Sequence, residues 1–291
     1  MMKKYILMFG FISMSMFAMA QGRVVNLFPQ GAPHETAVLV EGGSSEGATV
    51  GGQSVLRVEN VSSPQIAIYP AKNKSEKNPV MLVCPGGGYN ILAYDLEGTE
   101  IAEWLNTLGF TAILLKYRVP RREGRLKHEA ALEDVHEAIS YIRKNASMLH
   151  VDPNKLGIMG FSAGAHLSAM ASNAWQAKGD SSLKPNYCLL VYPAYLNNEA
   201  SALQLASEID VTANTPPTML VQTQDDTNFI DSSLAYYYAL KQQNVPVEMH
   251  LYPKGGHGYG LRNTGAAVNE WPDRAASWFK QIGILSATSP E

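Results

Sequence analysis

Short apolar runs alternate with amphipathic helical segments along most of this chain, and that alternation narrows its possible folds more than any other feature. Gln65–Tyr69, Val80–Val83, Phe110–Tyr117, Leu156–Phe161, Leu189–Tyr192, Thr218–Gln222 and Val247–Tyr252 read as strands. The run FTAILLKY, from Phe110, is apolar at nearly every position, as in a strand covered on both faces. Between the runs, Glu97–Leu108 places Ile101, Trp104, Leu105 and Leu108 on one helical face and stops at Gly109. Glu129–Asn145 does the same with Leu132, Val135, Ile139 and Ile142, and further helical segments fall at Ala163–Ser172, Ser232–Gln243 and Asn269–Gln281. Strands joined by crossover helices predict an α/β fold with a mostly parallel central sheet and helices on both faces. No composition shift or repeat divides the chain, and Gly42–Gly52, rich in glycine and serine, reads as a flexible loop.

The first residues carry Lys3 and Lys4, an apolar stretch from Tyr5 to Phe17, and the small-x-small triplet Ala18-Met19-Ala20. These are the three parts of an export signal, and the apolar stretch is shorter than a membrane span requires. The expectation is a signal peptide at 1–20 and one domain at 21–291, periplasmic or secreted. No cysteine follows the cleavage point, so no membrane anchor is expected. The formal charge of the whole chain is −3, and removing two lysines makes it more acidic. Such a protein has no basic field with which to hold nucleic acid or anionic lipid. Cys84 and Cys188 lie in apolar, strand-like runs, which favours buried free thiols, with a disulfide as the alternative if their strands are neighbours. No Cys or His cluster has the spacing of a zinc site.

The stretch GIMGFSAGAHL sets Ser162 between Gly160 and Gly164, after a strand and before a helix. Two readings compete: a serine-capped turn, or a G-x-S-x-G elbow that exposes an attacking hydroxyl on a strained turn. A serine attacks well only when a base takes its proton and a carboxylate orients that base. Among the seven histidines, His128 and His136 fall on a polar helix face and are expected to be solvated, while His166 is expected to pack beside the sheet. His257 is different. It lies in YPKGGHGYG, just past the strand ending at Tyr252, where glycines let a loop carry an imidazole over the sheet edge. The carboxylate is expected after the strand in TMLVQTQDD, at Asp226 or, as the fallback, Asp225. CPGGGY follows an early strand and supplies backbone donors for an oxyanion at Gly87 and Gly88, joined by Ala163 from the helix start. A phosphate-binding loop is the rival reading, and it fails because no lysine and Ser/Thr pair follows the glycines.

With these parts in place, the chain resembles the α/β-hydrolase superfamily, and within it exported bacterial esterases grouped with acetylxylan esterases. The resemblance runs from about Asn26 to Phe279, through LFPQGAP, CPGGGY, EGTEIAEWLNTLGF, KYRVP, GFSAGAHL, VQTQDD and LYPKGGHGYGL. It implies an α/β-hydrolase fold in which Ser162, Asp226 and His257 form a triad working through an acyl-serine, with no metal and no cofactor. Pro85 stands where the glycine-rich motif of related lipases has histidine, which argues against a lipase. The segment from Pro193 to Pro217 is the only room for a cap. It is polar and has one short helical pattern, Ser201–Glu208, so a minimal cap or none is expected. An open site suits a short acyl group, acetyl above all, on a carbohydrate such as xylan. Tyr89 and Tyr259, with Tyr94 and Trp175, are the candidates to stack on sugar rings, against the simpler reading that each packs inside. The alternatives are a general short-chain carboxylesterase, a feruloyl-type esterase, or a catalytically inactive hydrolase fold that binds glycans.

Overall fold

Alternate residues of the central strands feed two separate cores, and this division organises the molecule. The computed structural model describes residues 23–36, 39–72, 77–198 and 200–286, so the expected signal peptide lies outside the described residues. In chain order the elements begin with β1 (Arg23–Asn26), β2 (Gly42–Ser44), β3 (Arg57–Glu59), β4 (Gln65–Tyr69), β5 (Asn78–Cys84) and β6 (Ile91–Ala93). A π-helical turn, Asp95–Thr99, leads into α1 (Glu100–Thr107), followed by β7 (Thr111–Lys116), α2 (Glu129–Lys144), β8 (Val151–Phe161) and α3 (Ala163–Lys178). Then come β9 (Tyr187–Val191), β10 (Asn197–Asn198), β11 (Ser201–Leu205), β12 (Thr218–Thr223), α4 (Ile230–Gln242), β13 (Val247–Tyr252) and α5 (Trp271–Gln281).

Eight strands form one sheet in the order β1-β4-β7-β5-β8-β9-β12-β13. Only β4 runs against its neighbours, and every pairing from β7 to β13 is parallel. In β5, Val80, Leu82 and Cys84 face a core built with α2, α3 and α4, while Met81 and Val83 face one built with α1 and α5. That is the period of two expected of a strand buried on both sides. Five adjacent parallel strands therefore end at one edge, at Cys84, Phe161, Val191, Thr223 and Tyr252. Loops leaving that edge have nowhere to go but over it. This is where open α/β sheets place their ligands.

Three expectations need correction. Ser201–Glu208 is not helical: Ser201–Leu205 is a strand paired antiparallel with β10, and the hairpin packs on α4. Polar residues at every third or fourth place do not distinguish a surface helix from a surface hairpin whose partner strand is irregular. Gly42–Gly52 is not all loop, since β2 pairs with β3. His128 and His136 are buried rather than solvated: α2 lies along the sheet, His128 meets His166 of α3 and Glu208 after β11, and His136 lies near Lys178 at the end of α3. Cys84 and Cys188 are buried free thiols, and β8 separates their strands. No described helix is long and apolar enough to cross a membrane.

Candidate active site

Ser162 occupies a backbone conformation that few side chains adopt, with φ at +51° and ψ at −119°. Such a position costs on the order of 1–3 kcal/mol, so the surroundings must hold it. They do so on both sides. Ser162 donates its amide to Val191 at the end of β9 (3.2 Å), and its carbonyl accepts from Ala165, His166 and Ala194. The two flanking glycines are there for space: a Cβ at Gly160 would lie 2.1 Å from the Gly164 carbonyl oxygen, and one at Gly164 would lie 2.1 Å from that of Cys84. The sharp turn packs directly against its own helix and against the end of β5.

His257 lies in the loop after β13, with Gly255, Gly256 and Gly258 around it all at positive φ. Its Nε2 is 2.8 Å from Ser162 Oγ and its Nδ1 is 2.7 Å from Asp226 Oδ2. The imidazole side chain is 29% exposed while that of Asp226 is 3% exposed. The far end of the chain of bonds is thus dry and the near end is open to a reactant. The adjacent acid has a separate task. Asp225 accepts the amides of Gly256 (2.8 Å) and Gly255 (3.3 Å), and these bonds hold its carboxyl below the usual range. Thr223 Oγ1 donates to the Gly256 carbonyl at 2.7 Å, so the loop carrying His257 is fastened from the end of β12.

The glycine loop after β5 lies against the serine, where a Cβ on Gly86 would be 2.9 Å from the Ser162 Cβ. Carbonyls of this loop point away: Gly87 accepts from Asn90 and Ile91, and Gly86 accepts from Ala93. Gly87 has φ at +131°, and a Cβ there would strike the Ile91 carbonyl at 2.1 Å. Among the described residues, the amides of Gly87, Gly88 and Ala163 have no hydrogen-bond partner. The Gly86 amide is already taken by Glu97 Oε2 at 2.7 Å. Ala163 begins α3 directly after Ser162, and Gly87 and Gly88 continue the loop whose Gly86 abuts that serine, so these unspent donors suit negative charge developed there.

Tyr89 and Tyr259 are not sugar-stacking surfaces. Tyr89 is fully buried with its hydroxyl 2.7 Å from His166 Nδ1, and Tyr259 is 1% exposed, edge-on to Tyr192 at 4.5 Å. Both follow glycines that turn the chain inward, so the rings enter the core. Trp175 sits on the last turn of α3, far along the helix from Ser162, under the Lys184 ammonium. The rings near the site are others: Phe229 packs on His257 at 4.9 Å, and Tyr195 meets Phe229 edge-on at 5.7 Å. They line a cleft of about 570 Å³ together with Lys127, Asn197, Asn198 and Asn228.

The BD-FAE family model matches residues 66–187, which include the glycine loop and Ser162. The acetyl ester-xyloside bifunctional hydrolase from Caldicellulosiruptor lactoaceticus is 31% identical, and the match covers 77% of this chain and 90% of that one with a TM-score of 0.66. MGS-M1, an alpha/beta hydrolase from a Medee basin deep-sea metagenome, is 27% identical over 85% of this chain and 99% of its own, with a TM-score of 0.62. The chain belongs to the α/β-hydrolase esterases. Its relatives include the acetylxylan esterase of Xylanibacter ruminicola, 25% identical over 250 residues that make up 78% of this chain. This esterase chain spans half the length of that relative.

Two residues of the α/β-hydrolase site escape a reading of the sequence. Glu97 reads as the first residue of a helix, yet the π-helical turn carries it inward, where it is 3% exposed and accepts from Gly86 and from Tyr192 Oη (2.8 Å). Burial pushes its carboxyl up. Tyr192 follows β9 at positive φ, accepts the Gly260 amide at 3.1 Å and lies edge-on to His257 at 4.9 Å. The available signal was an acid beside the apolar stripe of α1, and a tyrosine ending a buried strand.

Proposed function

We propose that this esterase hydrolyses short acyl esters of carbohydrates, acetyl esters first, through an acyl-serine at Ser162. The observation that carries the reading is the unbroken line from Asp226 through His257 to Ser162 Oγ, with bonds of 2.7 and 2.8 Å, beside three amides without partners. His257 Nε2 takes the hydroxyl proton as Ser162 Oγ bonds to the acyl carbon. The carbonyl oxygen becomes an oxyanion facing the amides of Gly87, Gly88 and Ala163, one such donor being worth about 3 kcal/mol of barrier. The imidazolium then protonates the departing alkoxide, and the C–O ester bond breaks. Water repeats the sequence: its oxygen bonds to the acyl carbon as His257 takes its proton, then the imidazolium returns a proton to Ser162 Oγ as the acyl–serine bond breaks, and the acid leaves. Asp226 keeps the proton of the neutral imidazole on Nδ1 and stabilises the imidazolium.

The substrate class rests on two supports. Relatives named for acetylxylan and for acetyl ester-xyloside hydrolysis span most of this chain. The cleft next to His257 joins two aromatic rings to three asparagines, a lining suited to a polar alcohol with apolar sugar faces. Residues 1–20 fit export, which would place the enzyme where polysaccharide is met. The purified protein, incubated with acetylated xylan, mannan and pectin, is expected to release acetate, and p-nitrophenyl acetate is expected to exceed the butyrate and feruloyl esters in kcat/KM. Preference for acyl chains of six carbons or longer would overturn the substrate assignment. Unchanged turnover in Ser162→Ala would overturn the mechanism.

A further inference from the structure

Three donor side chains outside the triad meet one turn along α3 from Ser162. His128, just before α2, His166 on α3 and Glu208, after β11, each bring one donor atom to a group whose members all lie within 4.8 Å of one another. They come from three distant parts of the chain, so no spacing in the sequence reveals them. His166 is fully buried and His128 is 5% exposed, with ring centroids 5.5 Å apart. Among the described residues, Nδ1 of His128 and Nε2 of His166 have no hydrogen-bond partner. Glu208 Oε1 stands 3.7 Å from His166 Nε2, too far for a hydrogen bond. Two unsatisfied imidazole nitrogens side by side in a dry place are costly, and such groups call for a ligand.

The other nitrogen of His166 has the contact that metal-binding histidines commonly use. Nδ1 lies 2.7 Å from the Tyr89 hydroxyl, which sets the ring orientation and, with the proton on Nδ1, leaves the Nε2 lone pair free. We propose that His128 Nδ1, His166 Nε2 and one oxygen of Glu208 bind a divalent transition metal of the zinc type, with solvent in the remaining position. Two imidazoles and one carboxylate form a donor set that zinc accepts, whereas magnesium and calcium prefer oxygen ligands. Tetrahedral zinc needs donors about 3.3–3.6 Å apart. Glu208, whose side chain is 27% exposed, is the ligand with room to close that distance. Lys127 is the opposing charge nearby, and its ammonium is engaged over the Tyr195 ring at 4.2 Å.

Such an ion joins the start of α2, the first turn of α3 and the segment after β11. Through Tyr89 it also reaches the glycine loop. It is a fastening for the cleft wall, and the hydrolytic steps do not pass through it. The test uses the full chain after treatment with chelator, titrated calorimetrically with Zn²⁺, with Co²⁺ as an absorbing probe and Mg²⁺ as control. One Zn²⁺ per chain is expected, together with visible Co²⁺ bands of a four-coordinate site, a rise in Tm on adding Zn²⁺, and no response to Mg²⁺. His128→Gln and Glu208→Gln should each weaken Zn²⁺ binding by about 10–100-fold or more. His257→Gln, and His250→Gln at the partly exposed pair with Glu248, should leave it intact. The proposal is overturned by the absence of heat and bands, by unchanged affinity in His128→Gln, or by loss of binding in His257→Gln. If His128→Gln fails to fold, the same comparison rests on Glu208→Gln, whose partly exposed side chain leaves the core intact.

Discussion

Tyr192 donates its hydroxyl proton to Glu97 at 2.8 Å while its ring lies edge-on against His257 at 4.9 Å. A buried carboxylate is thereby tied to the imidazole by packing and to the glycine loop by the Gly86 amide. In Glu97→Gln, one amide oxygen can still accept from Tyr192, but the amide NH₂ cannot accept from Gly86. The unpaired Gly86 N–H costs about 1–3 kcal/mol, and the loop bearing the Gly87 and Gly88 donors loses its anchor. We expect kcat on p-nitrophenyl acetate to fall about ten- to a hundredfold with KM nearly unchanged. A loss confined to KM would mean that Glu97 shapes the cleft and not the donors.

Asp225 and Asp226 are neighbours in the chain but hold different parts of the same loop. Asp226→Asn is expected to lower kcat about 10⁴-fold, the size seen when the orienting carboxylate of a serine triad becomes an amide. Asp225→Asn leaves the imidazole bond in place and weakens only two backbone contacts, so its kcat should fall less than about tenfold. Steady-state kinetics of the two variants separates the roles, and equal losses would refute the division.

The glycines around Ser162 are required by volume. Gly160→Ala and Gly164→Ala each force a methyl group to 2.1 Å from a backbone oxygen. Neither oxygen is on a flexible side chain, so a loss of about 3 kcal/mol or more in urea unfolding is expected. Gly43→Ala is the control: its methyl group would meet Leu56 at an ordinary 3.6 Å, and stability should change by less than about 0.5 kcal/mol.

His136 gives a pH dependence with a definite sign. Burial, with Lys178 nearby, lowers it from 6.5 to about 4, and neither ring nitrogen has a partner among the described residues. Between those values the unfolded chain binds a proton that the folded one does not. Stability is therefore full above pH 6.5 and is lost as pH falls toward 4, by about 1.4 kcal/mol per unit at most. His136→Leu should remove one such slope, seen as a smaller difference in urea midpoint between pH 7.5 and pH 5 and as stability at pH 7.5 no lower than wild type. An unchanged slope would place the titration elsewhere.

What was legible in the sequence was local in origin. Apolar periodicity depends on neighbours a few residues away, so Gln65–Tyr69 and Val247–Tyr252 could be read to the residue. Ser162 and His257 stood out because glycines surround them, and glycine is required where backbone crowds backbone. Only the tertiary structure decided which of two identical neighbouring acids meets His257, since that depends on how the ends of β12 and β13 lie side by side. The same holds for Tyr89 and Tyr259, whose rings turned inward, for the hairpin at Ser201–Leu205, and for the burial of His128, His136 and Glu97. The buried rings and acids are set by contacts with segments tens of residues away, and the hairpin, whose two strands are neighbours in the chain, is held by packing on α4, so no short window of sequence contains what decides them.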